Sequence, residues 1–104
     1  MDVWQRSHQL TLLIYRASAD WPKDETFALV SQIRRAMASV PTNIAEGCGR
    51  NGKAELANFL NIAAGSASEV EYEIQLAFDL GYISPDQYRY FTSVFQLWRY
   101  SACR

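Results

Sequence analysis

Gln32–Arg50 reads QIRRAMASVPTNIAEGCGR, a helical pattern that contains a proline and is not ended by it. Val30, Ile33, Met37, Val40 and Ile44 recur at alternating spacings of three and four, which draws one apolar stripe along a helix. Pro41 falls inside that stripe. A proline there removes one backbone hydrogen bond and its ring presses on the preceding turn, at about 3 kcal/mol or more in an isolated helix. The stripe resumes at Ile44, so packing is expected to outweigh that cost and the helix to bend rather than stop.

Working outward, Gly47, Gly49 and Gly52 follow as a C-cap and tight turn. Beyond them Leu56, Leu60, Ala63, Ala67, Val70, Ile74 and Ala77 alternate by four and three, predicting a long helix from Ala54 to about Leu80 that Gly81 caps. Ser84 then offers an N-cap and Pro85 the first position of a last helix, whose stripe is Tyr88, Phe91, Phe95 and Trp98. Upstream, a helix is predicted over Val3–Ser18, with Val3, Leu10, Leu13, Ile14 and Ala17 on its apolar side. Pro22 separates it from the next. Asp24 is read as the N-cap of that second helix, with Glu25 in its first turn and Phe27 and Leu29 on its apolar side. Nothing alternates with period two. The short connections make consecutive helices antiparallel neighbours, so the expected fold is all-α, an up-down-up-down four-helix bundle forming one domain over 1–104.

The 104 residues carry 10 Lys and Arg against 11 Asp and Glu, a formal net charge of -1. That balance argues against strong non-specific nucleic-acid binding, which needs a dominant basic face. No leader pattern is read at the start and no apolar run approaches the ~20 residues of a membrane helix. Cys48 and Cys103 form no C-x-x-C pair and are read as free thiols. A cytoplasmic protein is expected, with no membrane association.

Several motifs resemble one known family. They are Val3-Trp4-Gln5, Ile14-Tyr15, Gln32–Ala36, Ser39–Gly47, Phe59–Ser66 followed by Glu69, and Asp79–Ile83. The family is that of four-helix-bundle proteins encoded in intervening sequences of bacterial 23S ribosomal RNA genes. The resemblance implies a homo-oligomeric ring, characteristically a pentamer, and no established enzymatic activity. A related branch is the accessory protein of diversity-generating retroelements, which binds a reverse transcriptase and nucleic acid through a basic surface. This chain has Ala64 where the family's second motif often carries arginine.

Polar residues also share faces. Arg35, Ser39, Thr42 and Glu46 are spaced four, three and four apart, and Asn43 lies three before Glu46. Ser66, Glu69 and Glu73 share a face of the third helix. Arg34 or Arg35 is expected to approach Glu69 or Glu73, and the set Arg35, Asn43, Glu46, Ser66, Glu69 and Glu73 is read as a structural polar network. The small run Ala63–Ser68 is read as a place where the Pro41 segment approaches closely.

No Glu has a His three residues later and His8 is the one histidine, so the di-iron pattern of bundle enzymes is missing and no metal, cofactor or catalytic set is assigned. Val30, Ile33, Met37, Leu60, Ala67, Val70 and Ile74 are expected at the centre of a core built by the first three helices. In the fourth, Tyr90, Val94 and Leu97 form a second stripe. With Trp98 they are the candidates for an oligomer interface. The rival reading is an aromatic platform for single-stranded nucleic acid beside Arg89, Arg99 and Arg104. Arg34, Arg35, Arg50 and Lys53 are the best basic contacts for RNA, DNA or a nucleic-acid enzyme. A non-enzymatic structural or adaptor protein is therefore expected, with a nucleic-acid accessory factor as the alternative.

Overall fold

The computed structural model describes residues 2–102, with side chains from 3 to 99. Cys103, Arg104 and the Tyr100 side chain lie outside the described residues. Four helices fill the chain: α1 (Asp2–Ser18), α2 (Leu29–Cys48), α3 (Lys53–Asp79) and α4 (Pro85–Ala102), with one 3-10 turn at Lys23–Glu25 and no strand among the described residues. α2 runs through Pro41 without interruption. Its stripe explains why: Val30, Ile33, Met37, Val40 and Ile44 are all buried, as is Pro41 itself. Burying such a side chain contributes about 1.5–3 kcal/mol, so five of them exceed the local penalty of the proline.

Around the molecule, α2 lies between α1 and α3, and α4 packs on α3 and α1. The diagonal pairs do not meet backbone to backbone among the described residues. The contact of α2 with α3 is the most extensive. At one end of it Gly47 allows close approach, since a Cβ there would stand 3.0 Å from the Phe59 Cβ and 3.2 Å from the Leu56 Cδ1.

The ends of α3 and α4 follow local chemistry. Gly81 adopts φ +82 after α3, while the Gly81 and Tyr82 N–H groups bond back to the Phe78 and Ala77 carbonyls. Those two bonds form a Schellman cap, whose left-handed position suits glycine. Ser84 Oγ then accepts the Gln87 N–H at 3.0 Å, and Gln87 Oε1 accepts the Ser84 N–H at 2.9 Å. This reciprocal capping box starts α4, with Pro85 at its first position.

Four expectations are corrected. α2 does not start at Asp24; it starts at Leu29, after the 3-10 turn. Glu25 ends the 3-10 turn, its Oε2 accepting the Tyr82 hydroxyl at 2.6 Å and its Oε1 the N–H of Leu29 at 3.5 Å, and Phe27 is 96% exposed instead of joining the apolar side. Leu60 is not central but 39% exposed, because it borders an open apolar cavity of about 350 Å³ beside Val3, Ile44 and Trp98. The core also draws on all four helices: Phe91, Phe95 and Trp98 of α4 are buried with Leu10 and Ile14 of α1.

Candidate functional site

The polar residues of α2 and α3 separate into two groups along their contact. In the first, Ser39 and Ser66 share a hydrogen bond of 2.9 Å across the helices. Asn43 Nδ2 donates to the Ser39 carbonyl at 2.8 Å and to Ser39 Oγ at 2.9 Å. Each member is half-buried and partnered, as a polar group between packed helices must be.

The second group is Arg35, Glu69 and Glu73. Glu73 is 4% exposed and its Oε1 has no hydrogen-bond partner. Burial first, then the charge of Glu69 and a hydrogen bond shared with it, push the Glu73 carboxyl up to about 7; the Arg35 charge opposes this. Arg35 Nη2 itself donates to Ser31 Oγ at 2.9 Å. Glu46 belongs to neither group. It pairs with Arg50 at 3.3 Å on the surface one turn later, because Glu46 lies on the exposed side of the last turn of α2 while Gly47 faces α3.

The basic candidates also divide. Arg34 turns to α1, where Nε donates to Ser18 Oγ at 2.9 Å and Nη2 to the Tyr15 carbonyl at 3.0 Å, with its guanidinium 4.8 Å from the Tyr15 ring. It thus clamps the C-terminal turn of α1, where carbonyls want a cation. It does not reach the acidic residues of α3 by any hydrogen bond described. Arg50 lies over the Phe59 ring at 5.3 Å and near Glu55, and Lys53 is exposed at the start of α3. These four cations are spread over both ends of α2 and form no single patch.

On α4 the second stripe stands at solvent: Tyr90 is 53% and Leu97 64% exposed, with Val94 half-buried between them. Trp98 is a correction. It is 4% exposed and its Nε1 donates to the Val3 carbonyl at 3.2 Å, so it closes the core. Its spacing of three from Phe95 puts it on the inner stripe. Arg99 ties α4 to α3, with Nε donating to Glu71 Oε1 at 2.7 Å and Nη2 to Ser68 Oγ at 2.8 Å. Tyr88 donates to Gln75 Oε1 at 2.5 Å in the same contact. Sequence reasoning missed this tie. The signal was present as Ser68, Glu71 and Gln75, a second polar stripe of α3 at spacings of three and four.

Two further hollows matter. Trp4 and His8 stack at 5.4 Å beside Pro41, Thr42 and Arg50 in an open groove of about 540 Å³. Between α1 and α4 a groove of about 390 Å³ is lined by Arg6, Leu13, Tyr90, Val94 and Leu97, among others. Among the described residues no three His, Cys, Asp or Glu side chains gather closely enough to hold a metal ion, and no helix is long and apolar enough to cross a membrane.

Comparison with known proteins bears on this arrangement. Residues 1–97 match the family model described as 23S rRNA-intervening sequence protein. The chain is also similar to a solved structure from Bacteroides thetaiotaomicron, described as a protein with unknown function from the S23 ribosomal protein family. The identity is 26%, the match covers 97% of this chain and 94% of that one, and the TM-score is 0.85. No curated protein matches the sequence.

Proposed function

This chain belongs to the 23S rRNA-intervening sequence protein family, and from that premise we propose that it is a non-enzymatic adaptor of the cytoplasm whose working form is a ring of identical copies, with five as the expected number. The subunit is read as an antiparallel up-down-up-down bundle. In support, Gly47 meets Leu56 and Phe59, and Ser39 meets Ser66, so rising numbers on α2 face falling numbers on α3.

One observation carries the self-association: Tyr90, Val94 and Leu97 hold an apolar stripe at solvent along α4, next to Leu13 of α1. Single exposed apolar side chains are ordinary, whereas a continuous stripe marks a surface that another macromolecule covers. The test is the solution mass of the purified chain by light scattering. A mass near five times the 11.9 kDa of one chain is expected, and a monomer at every concentration overturns the reading.

Association with RNA or DNA is the second reading, favoured by Lys53 and Arg50 at the exposed turn between α2 and α3. Phosphate contacts are strongest at low salt. Loss of all RNA and DNA binding at low ionic strength would remove this second reading without touching the first.

A further inference from the structure

Toward the start of α2, its seam with α3 holds a carboxyl that the fold leaves incomplete. Glu73 is 4% exposed and its Oε1 meets no donor. The carboxyl shares a hydrogen bond with the exposed Glu69, one turn back on the same helix. Two carboxyls share such a bond only while one of them holds a proton.

Its charged neighbours among the described residues are Glu69 on α3 itself and Arg35 from α2. Arg34, the next residue, is turned to α1 by Ser18 and Tyr15. On the α4 side of α3, Arg99 is bound to Glu71 and Ser68. In the 3-10 turn, Glu25 accepts the Tyr82 hydroxyl. Arg35 is thus the cation placed to answer a charge on Glu73.

Register brings the two together. Ser39 lies opposite Ser66, and Gly47 opposite Phe59. Two turns back along α2 and two turns forward along α3 then bring Ser31 level with Glu73. Arg35 Nη2 donates to Ser31 Oγ at 2.9 Å, so its guanidinium already reaches the level of Glu73, held there by a neutral hydroxyl of its own helix. Ser31 is half-buried, and water replaces the arginine on its hydroxyl at little cost. A buried carboxylate has no such substitute.

We propose that Arg35 is a swinging counter-ion: it rests on Ser31 while Glu73 holds its proton, and crosses to the Glu73 carboxylate when that proton leaves. Deprotonation makes two demands at once, since Glu69 and Glu73 then repel and Oε1 needs a donor. A guanidinium meets both with two N–H groups and a full charge. The proton passes to water by way of the exposed Glu69. The first turn of α2 is therefore tied to its own helix in one state and to α3 in the other. Burial, then Glu69, raise the Glu73 carboxyl to about 7, so both states are populated near neutrality.

An NMR titration of the full chain from about pH 5 to about pH 9 follows the Glu73 carboxyl carbon and the Arg35 guanidinium together. Both are expected to move with one midpoint. Arg35→Gln should raise the Glu73 midpoint by about one unit, because the counter-charge is gone. Ser31→Ala should lower it by about half a unit, because only the protonated state loses a bond. Glu73→Gln should leave the Arg35 signals flat across the range. Arg35 signals that ignore the titration of Glu73 in the wild-type chain would overturn the exchange. So would a Glu73 midpoint that neither Arg35→Gln nor Ser31→Ala moves. The wild-type titration needs no substitution, so a variant that fails to fold leaves the proposal open to refutation.

Discussion

Between α2 and α3 the contact is made by small groups, whereas α4 is seated by large ones. Gly47 touches Leu56 and Phe59, Ser39 bonds Ser66, and Ala63, Ala67 and Ala77 are buried along α3. α4 buries Phe91, Phe95 and Trp98 and adds side-chain ties through Arg99, Tyr88 and the Trp98 indole. The backbones of α2 and α3 accordingly run close over much of their length, and α4 approaches its neighbours more sparingly. A contact of small groups is vulnerable to added atoms, and a seat of aromatic rings to removed ones.

The largest test removes atoms from α4. Phe95 is fully buried, and Phe95→Ala should cost about 3–5 kcal/mol, read as a lower midpoint in urea unfolding. An unchanged midpoint would mean that α4 is peripheral to folding and would collapse the comparison. The reverse test adds one methyl group to the other region. Gly47→Ala should cost about 1–3 kcal/mol, because Phe59 and Leu56 must both give way.

Between these two in size lies the buried carboxyl of the α2–α3 seam. Glu73 has its pKa raised to about 7 from an ordinary 4.5. A carboxyl that holds its proton more tightly when folded favours the folded state below its unfolded pKa and loses that advantage as pH rises through the folded one. Stability should therefore fall between about pH 4.5 and 7 by up to about 3 kcal/mol, taking about 1.4 kcal/mol per unit. Glu73→Gln should flatten this slope. A variant with the same pH profile as the wild type would show that the seam is not proton-linked.

The two regions were unequally legible. The stripe through Pro41 could be read because five apolar side chains at helical spacing outweigh one breaker, and every one of them is buried. The caps Gly81 and Ser84–Pro85 were legible because they depend on neighbours in sequence. Asp24 misled, since it lies inside the 3-10 turn and α2 starts only at Leu29, while the neighbouring Glu25 is held by Tyr82, far along the chain. Leu60 misled in the same way: spacing places it on the stripe, but whether anything covers that end of α3 depends on where α4 lies. Spacing suggested an acidic partner on α3 for Arg34 or Arg35, yet Arg34 meets the end of α1, a choice settled by tertiary geometry. The tie from Arg99 to Glu71 was hidden for a similar reason, as periodicity shows that a face exists and not which helix meets it.

The smallest test asks whether α4 depends on its own local start as well as on its rings. The Ser84 hydroxyl accepts the Gln87 N–H, and the Gln87 amide returns a bond to the Ser84 N–H. Ser84→Ala breaks the first of these and leaves an orphan donor at the helix start, which usually costs about 1 kcal/mol. Because Ser84 is exposed, no packing changes with it, so the loss isolates the cap. Hydrogen exchange should locate it: amides in the first turn of α4 should exchange faster, while those of α2 around Pro41 keep their protection. Equal acceleration in both helices would mean that the small-group contact and the aromatic seat open together, as one cooperative unit.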